Sequence, residues 1–148
     1  MLIAIDFDGT IVEQDGRRYD ATSPLRFMPG AREALLDLNA AGHVLVLWSA
    51  RARLTLRDPR YVDPLVAAGI KTARPRTPEE YAVNEARYAQ MVAFVRTYLA
   101  GVFTYVYHGG ELDKPGVDLF IDDKALRLGA DLGGQSWYDI AKVYGRRR

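Results

Sequence analysis

Leu2-Ile3-Ala4-Ile5-Asp6-Phe7-Asp8-Gly9-Thr10 is the stretch whose reading decides the fold. Four consecutive apolar residues stop abruptly at acid. A short run that is apolar on both faces suits a buried parallel strand better than a half-exposed one. Asp8-Gly9 then reads as a turn. Two carboxylates two residues apart, directly after a buried strand, are costly to place unless they are paired or bind a metal.

Working outward, three more runs have the same character. Val44 to Trp48 ends at Ser49, Phe103 to Tyr107 ends at His108, and Leu119 to Ile121 ends at Asp122-Asp123. Helices are expected between them. Apolar residues at Ala31, Ala34, Leu35, Leu38 and Ala41 follow a helical period and stop at Gly42. A short helix is expected over Pro64–Ala68. A longer one begins at Thr77-Pro78-Glu79-Glu80, where Thr caps, Pro takes the first turn and acid follows. Its apolar stripe takes in Tyr81, Tyr88, Met91, Val92, Val95, Tyr98 and Leu99, and Gly101 closes it. A last helix is expected over Trp137–Val143. The stretch Gly16–Met28 lacks a helical period and reads as a loop or hairpin over the site.

Alternating strands and helices give an α/β chain with βαβ crossovers and a mainly parallel sheet, a Rossmann-like three-layer sandwich. The length of 148 residues fits a single domain spanning 1–148. The composition, 49% apolar and 26% charged, excludes a disordered chain. No apolar run approaches the ~20 residues that span a bilayer. The start lacks a basic region before its apolar run, so a cytoplasmic location is expected. The absence of cysteine excludes disulfides and thiolate metal sites.

The net charge of +1 is unevenly spread. Between Arg51 and Arg76 stand six arginines and Lys71 against only Asp58 and Asp63. That segment reads as a solvated face or as an anion-attracting rim.

Ligands of open α/β sheets bind at the carboxyl ends of strands. In this chain those ends carry Asp6, Ser49, His108, Asp122 and Asp123. Two acidic clusters on one edge repel each other, and a hard divalent cation with oxygen ligands resolves the repulsion. Magnesium fits a site of a few carboxylates and waters. Ser49 reads either as a donor to a phosphoryl oxygen or as a helix cap. Lys114 reads either as a point charge for phosphate or as a surface turn.

The order D-x-D-G-T, strand-Ser, Lys, strand-Asp-Asp resembles the haloacid dehalogenase-like (HAD) hydrolase superfamily, in its small capless form. The resemblance covers nearly the whole chain, including Leu132-Gly133-Gly134 to Ile140. It implies a magnesium-dependent phosphatase that works on a phosphomonoester through an aspartyl-phosphate. Asp6 matches the nucleophile, Asp8 the general acid and base, Ser49 the phosphate-binding hydroxyl and Lys114 the phosphate-binding lysine. Backbone amides near Gly9 are implied as further phosphate donors. The metal is implied on Asp6, Asp122 and the carbonyl of Asp8, with Asp123 acting through water or the outer shell.

Only 42 residues separate Asp6 from Ser49, and 64 separate Ser49 from Lys114. Little chain is left for a cap domain, so the site is expected to be open to a small phosphorylated molecule or to a macromolecular end. Arg51 or Arg53, with His108, is expected to contact the leaving group. The competing expectation is that the arginines are structural, one of them pairing with an acid on the following helix. The helix over 79–99 offers a possible homodimer face. The alternative reading of function is a non-catalytic HAD-like module that binds phosphate or nucleic acid. A receiver-like domain has no need of the D-x-D pair, and no G-x-x-x-x-G-K loop is present.

Overall fold

The computed structural model describes residues 1–14, 21–51, 67–70, 77–106, 116–123 and 136–145. Its elements run β1 (Leu2–Ile5), α1 (Ala31–Ala40), β2 (Val44–Leu47), α2 (Pro78–Tyr98), β3 (Tyr105–Val106), β4 (Leu119–Ile121) and α3 (Trp137–Tyr144). The strands form one sheet in the order β3-β2-β1-β4, and every pair is parallel. This is the Rossmann-like α/β arrangement expected from the alternation. No helix among the described residues is long and apolar enough to cross a membrane.

β1 lies between β2 and β4, with Ile5 level with Leu47 on one side and with Ile121 on the other. Ile3, Ala4 and Ile5 are all fully buried. Consecutive strand residues point to opposite faces, so both faces of the central strand are covered. That is why the run lacks polar alternation.

The helix boundaries follow local chemistry. α1 ends in a Schellman motif: Gly42 N–H donates to Asn39 O and His43 N–H to Leu38 O. Gly42 takes φ 82°, which only glycine adopts cheaply. α2 starts with Thr77 as N-cap and Pro78 in the first turn. Thr77 and Glu80 complete a reciprocal capping box. Ser136 and Asp139 do the same for α3.

The core gathers Ile3, Ile5, Phe7, Leu35, Leu38, Leu45, Leu47, Met91 and Ile140 among others. Several expected boundaries shift. Trp48 still donates its N–H to Ile5 O, but the chain turns at Ser49, so β2 stops at Leu47. Among the described residues β3 pairs with β2 alone and keeps two residues; Phe103 precedes it and Tyr107 lies outside the described residues. On α2 the buried stripe is Asn84, Met91, Phe94 and Val95. Tyr81 and Tyr98 remain exposed. Phe94 replaces them because the rings of Phe7 and Phe27 meet it at 5.9 Å and 4.7 Å.

The loop or hairpin expected over 16–28 is tied at its base like a hairpin. Glu13 N–H donates to Arg26 O and Met28 N–H to Ile11 O. Of the helix expected over 64–68, Ala67 is helical and Ala68 opens the turn that follows, while 64–66 and much of the chain argued to carry no cap fall within 52–66, 71–76 and 107–115, outside the described residues.

Candidate active site at the carboxyl edge of the sheet

Asp6 continues β1 by one residue, its N–H donating to Ile121 O at 2.9 Å. The register that sets Ile5 beside Ile121 therefore brings Asp6 level with Asp122. Asp6, Asp122 and Asp123 each present a carboxylate oxygen, and the three oxygens lie within 4.8 Å of one another. The group can hold a metal ion. Three hard oxygen donors on one edge suit a divalent cation that favours carboxylates.

The electrostatics agree with that fit. Burial pushes the Asp6 carboxyl up to about 7; the charges of Asp122, Asp8 and Asp123 add to the rise, while the Phe7 N–H opposes it. A raised carboxyl binds more protons folded than unfolded. Its contribution to stability is then full below the unfolded value near 4 and is lost as pH rises through about 7. Metal-free protein is therefore expected to melt at lower temperature at pH 7.5 than at pH 5.5. Asp6→Asn should flatten this dependence, and millimolar Mg2+ should restore the melting temperature at pH 7.5. Melting curves of wild type and variant, with EDTA and with Mg2+, measure it. A wild-type curve that ignores both pH and cation would count against a charged cluster here.

The turn after Asp6 is held by its own backbone. Phe7 O accepts from Ile11 and Val12 N–H, both at 3.0 Å, and Gly9 N–H donates to Val12 O at 2.9 Å. Gly9 has φ +76°, and a Cβ there would sit 3.0 Å from Asp123 Oδ2. Glycine thus supplies both the turn and the room for the second acid, while its own amide is committed to Val12. Thr10 is buried and accepts the Asp123 N–H on Oγ1 at 2.9 Å. Its carbonyl accepts the Trp137 Nε1–H at 2.6 Å. One threonine therefore ties the β1 turn to the β4 turn and to α3.

Asp8 stands apart from the three-acid group. Its carboxylate is gripped by Arg51, Nε to Oδ2 at 2.7 Å and Nη2 to Oδ1 at 2.6 Å. Arg87 Nη2 approaches Oδ2 at 3.4 Å. Arg51 is buried, lies 5.1 Å from the Phe7 ring centre, and donates from Nη1 to the Arg87 carbonyl and to Gln90 Oε1. It was expected to meet either the leaving group or an acid on the next helix. The structure sets it against Asp8, with α2 supplying a carbonyl and an amide.

Ser49 is buried and accepts the Arg51 N–H on Oγ at 3.2 Å. A hydroxyl that accepts still has its proton to donate. Arg53, His108 and Lys114 lie outside the described residues. Sequence reasoning gave no role to Thr10, Arg87, Gln90 or Trp137. Arg87 and Gln90 are polar residues that immediately precede the stripe residues Tyr88 and Met91, and a polar residue beside the stripe reads as solvated. Thr10 was visible only as the last letter of D-x-D-G-T.

No family model matches the chain, and no curated protein does. A solved structure described as that of a conserved protein from Bacteroides thetaiotaomicron is similar to it. The identity is 26%, the match covers 97% of this chain and 86% of that one, and the TM-score is 0.45.

Proposed function

We propose that this chain is a magnesium-dependent phosphatase that hydrolyses phosphomonoesters through an aspartyl-phosphate on Asp6, as the resemblance to HAD hydrolases implies. One observation carries the reading. The carboxylate that ends the central strand converges with Asp122 and Asp123, their oxygens within 4.8 Å, while the second acid of the same turn is held separately by an arginine.

The chemistry follows from the residues. A carboxylate oxygen of Asp6 attacks phosphorus and the bond to the leaving oxygen breaks, so one difficult step becomes two easier ones. Asp8, two residues on and outside the three-acid group, protonates the leaving oxygen and then draws a proton from the water that hydrolyses the acyl phosphate. The Ser49 hydroxyl donates to a phosphoryl oxygen. Asp6, Asp122 and Asp123 would hold Mg2+, which when bound offsets negative charge on the phosphoryl group and lets the acids stay ionised together.

The direct test is turnover by purified protein on phosphorylated sugars, nucleotides, phosphopeptides and oligonucleotide ends, with Mg2+ or with EDTA. Asp122→Ala is expected to raise the Mg2+ concentration for half-activation by at least about tenfold while leaving a cooperative melt. Unchanged Mg2+ dependence in that variant would remove Asp122 from the metal site. Absence of turnover on the whole panel would remove the phosphatase reading.

A further inference from the structure

The Asp8–Arg51 pair has a direction. Asp8 keeps 20% of its side chain accessible, Arg51 only 5%. An incoming substrate therefore meets Asp8, with the guanidinium behind it. Four of the five Arg51 N–H groups are committed among the described residues: Nε and Nη2 to Asp8, and two on Nη1 to Arg87 O and Gln90 Oε1. The far side of the bracket is fixed in turn. Gln90 Nε2 donates to Ser23 O at 2.7 Å, so the segment before α1 and the middle of α2 hold one amide between them. Phe7 closes the remaining face.

Resting on the phosphatase reading, we infer that Arg51 is a positioning residue. It holds the carboxylate of Asp8 at the leaving-group side of the site and does not bind substrate itself. Gln90 and the backbone of α2 are the anchor through which it does so. A planar fork with two parallel bonds fixes both oxygens of a carboxylate, and an ammonium fixes one point. Proton transfer in the transition state tolerates little misplacement. Losing the fork should therefore be felt where the proton matters most.

The test compares an alkyl phosphate, which leaves as a strongly basic alkoxide, with an activated aryl phosphate, which needs no proton. Arg51→Lys, Gln90→Ala, Asp8→Asn and the Arg51→Lys/Asp8→Asn double variant are assayed with Mg2+. Arg51→Lys should lose the single-turnover rate of leaving-group release, the step the proton assists, about tenfold more on the alkyl substrate than on the aryl one, with KM within about twofold of wild type. Gln90→Ala should shift the ratio in the same direction by about threefold, and it covers the case in which Arg51→Lys folds poorly. The double variant should be no slower than Asp8→Asn alone, because the two residues act as one unit.

A loss carried by KM, a loss equal on both substrates, or a double variant whose losses multiply would overturn the inference. The two levels of the argument separate cleanly. If Asp8→Asn discriminates between the leaving groups while Arg51→Lys and Gln90→Ala do not, only the positioning role falls. If Asp8→Asn does not discriminate, the acid–base role falls first and takes this inference with it.

Discussion

Asp6→Asn is expected to cut phosphomonoester turnover by about four orders of magnitude or more, the scale of losing a covalent nucleophile. The amide keeps the shape of the carboxylate and loses its nucleophilic charge. The same change should leave the fold intact or make the metal-free protein more stable at neutral pH. Burial and the neighbouring acids Asp122, Asp8 and Asp123 all disfavour a charge at this position. Lost activity together with an unchanged or raised melting temperature is the signature of a nucleophile held under electrostatic strain. Turnover within a few fold of wild type would end the covalent mechanism, and a collapse of the melt would mean that Asp6 serves the fold.

Asp8→Asn should be the second most damaging change. A positioned general acid contributes about 10²- to 10⁴-fold. In the single-turnover rate of leaving-group release, that loss is expected on alkyl phosphates and should shrink to less than about tenfold on an activated aryl phosphate, whose oxygen leaves without help. Unlike the first variant, this one should also destabilise. It leaves the buried Arg51 guanidinium facing a neutral amide, and breaking a buried pair costs up to about 3 kcal/mol. Rates therefore belong well below the melting temperature of the variant. Equal losses of that first-step rate on both substrates would show that Asp8 does not protonate the leaving oxygen.

Sequence reasoning reached the elements whose causes are local. Leu2–Ile5 was readable because a strand buried on both faces has no polar alternation, and Leu119–Ile121, half-buried beside it, because a short apolar run stops at its first acid. The start of α2 was readable because Thr77-Pro78-Glu79-Glu80 carries its own cap. The three-acid group was half legible. Asp6 and Asp122 were expected at one edge, and the parallel register that makes them neighbours supplied the distance.

The bracket on Asp8 was not legible. Arg51 lies 43 positions from Asp8, and Gln90 lies 39 from Arg51. Nothing local distinguishes a guanidinium that will be buried from the other arginines of an Arg-rich stretch. Tyr81 and Tyr98 matched the helical period of the stripe yet stay at the surface, because which turns of α2 meet the core depends on where Phe7 and Phe27 place their rings. Arg53, His108 and Lys114 remain expectations outside the described residues.

The pairing of β1 with β4 has a kinetic consequence. Ile3 and Leu119 are partners across 119 − 3 = 116 positions, the longest reach in the sheet. Closing so long a loop loses chain entropy before any contact compensates, and non-local parallel pairing is slow for that reason. This same closure carries Asp122 and Asp123 up to Asp6, so like charges converge as the strand docks. Refolding at neutral pH is therefore expected to meet electrostatic repulsion as this strand docks, and a divalent cation present during refolding is expected to raise the rate.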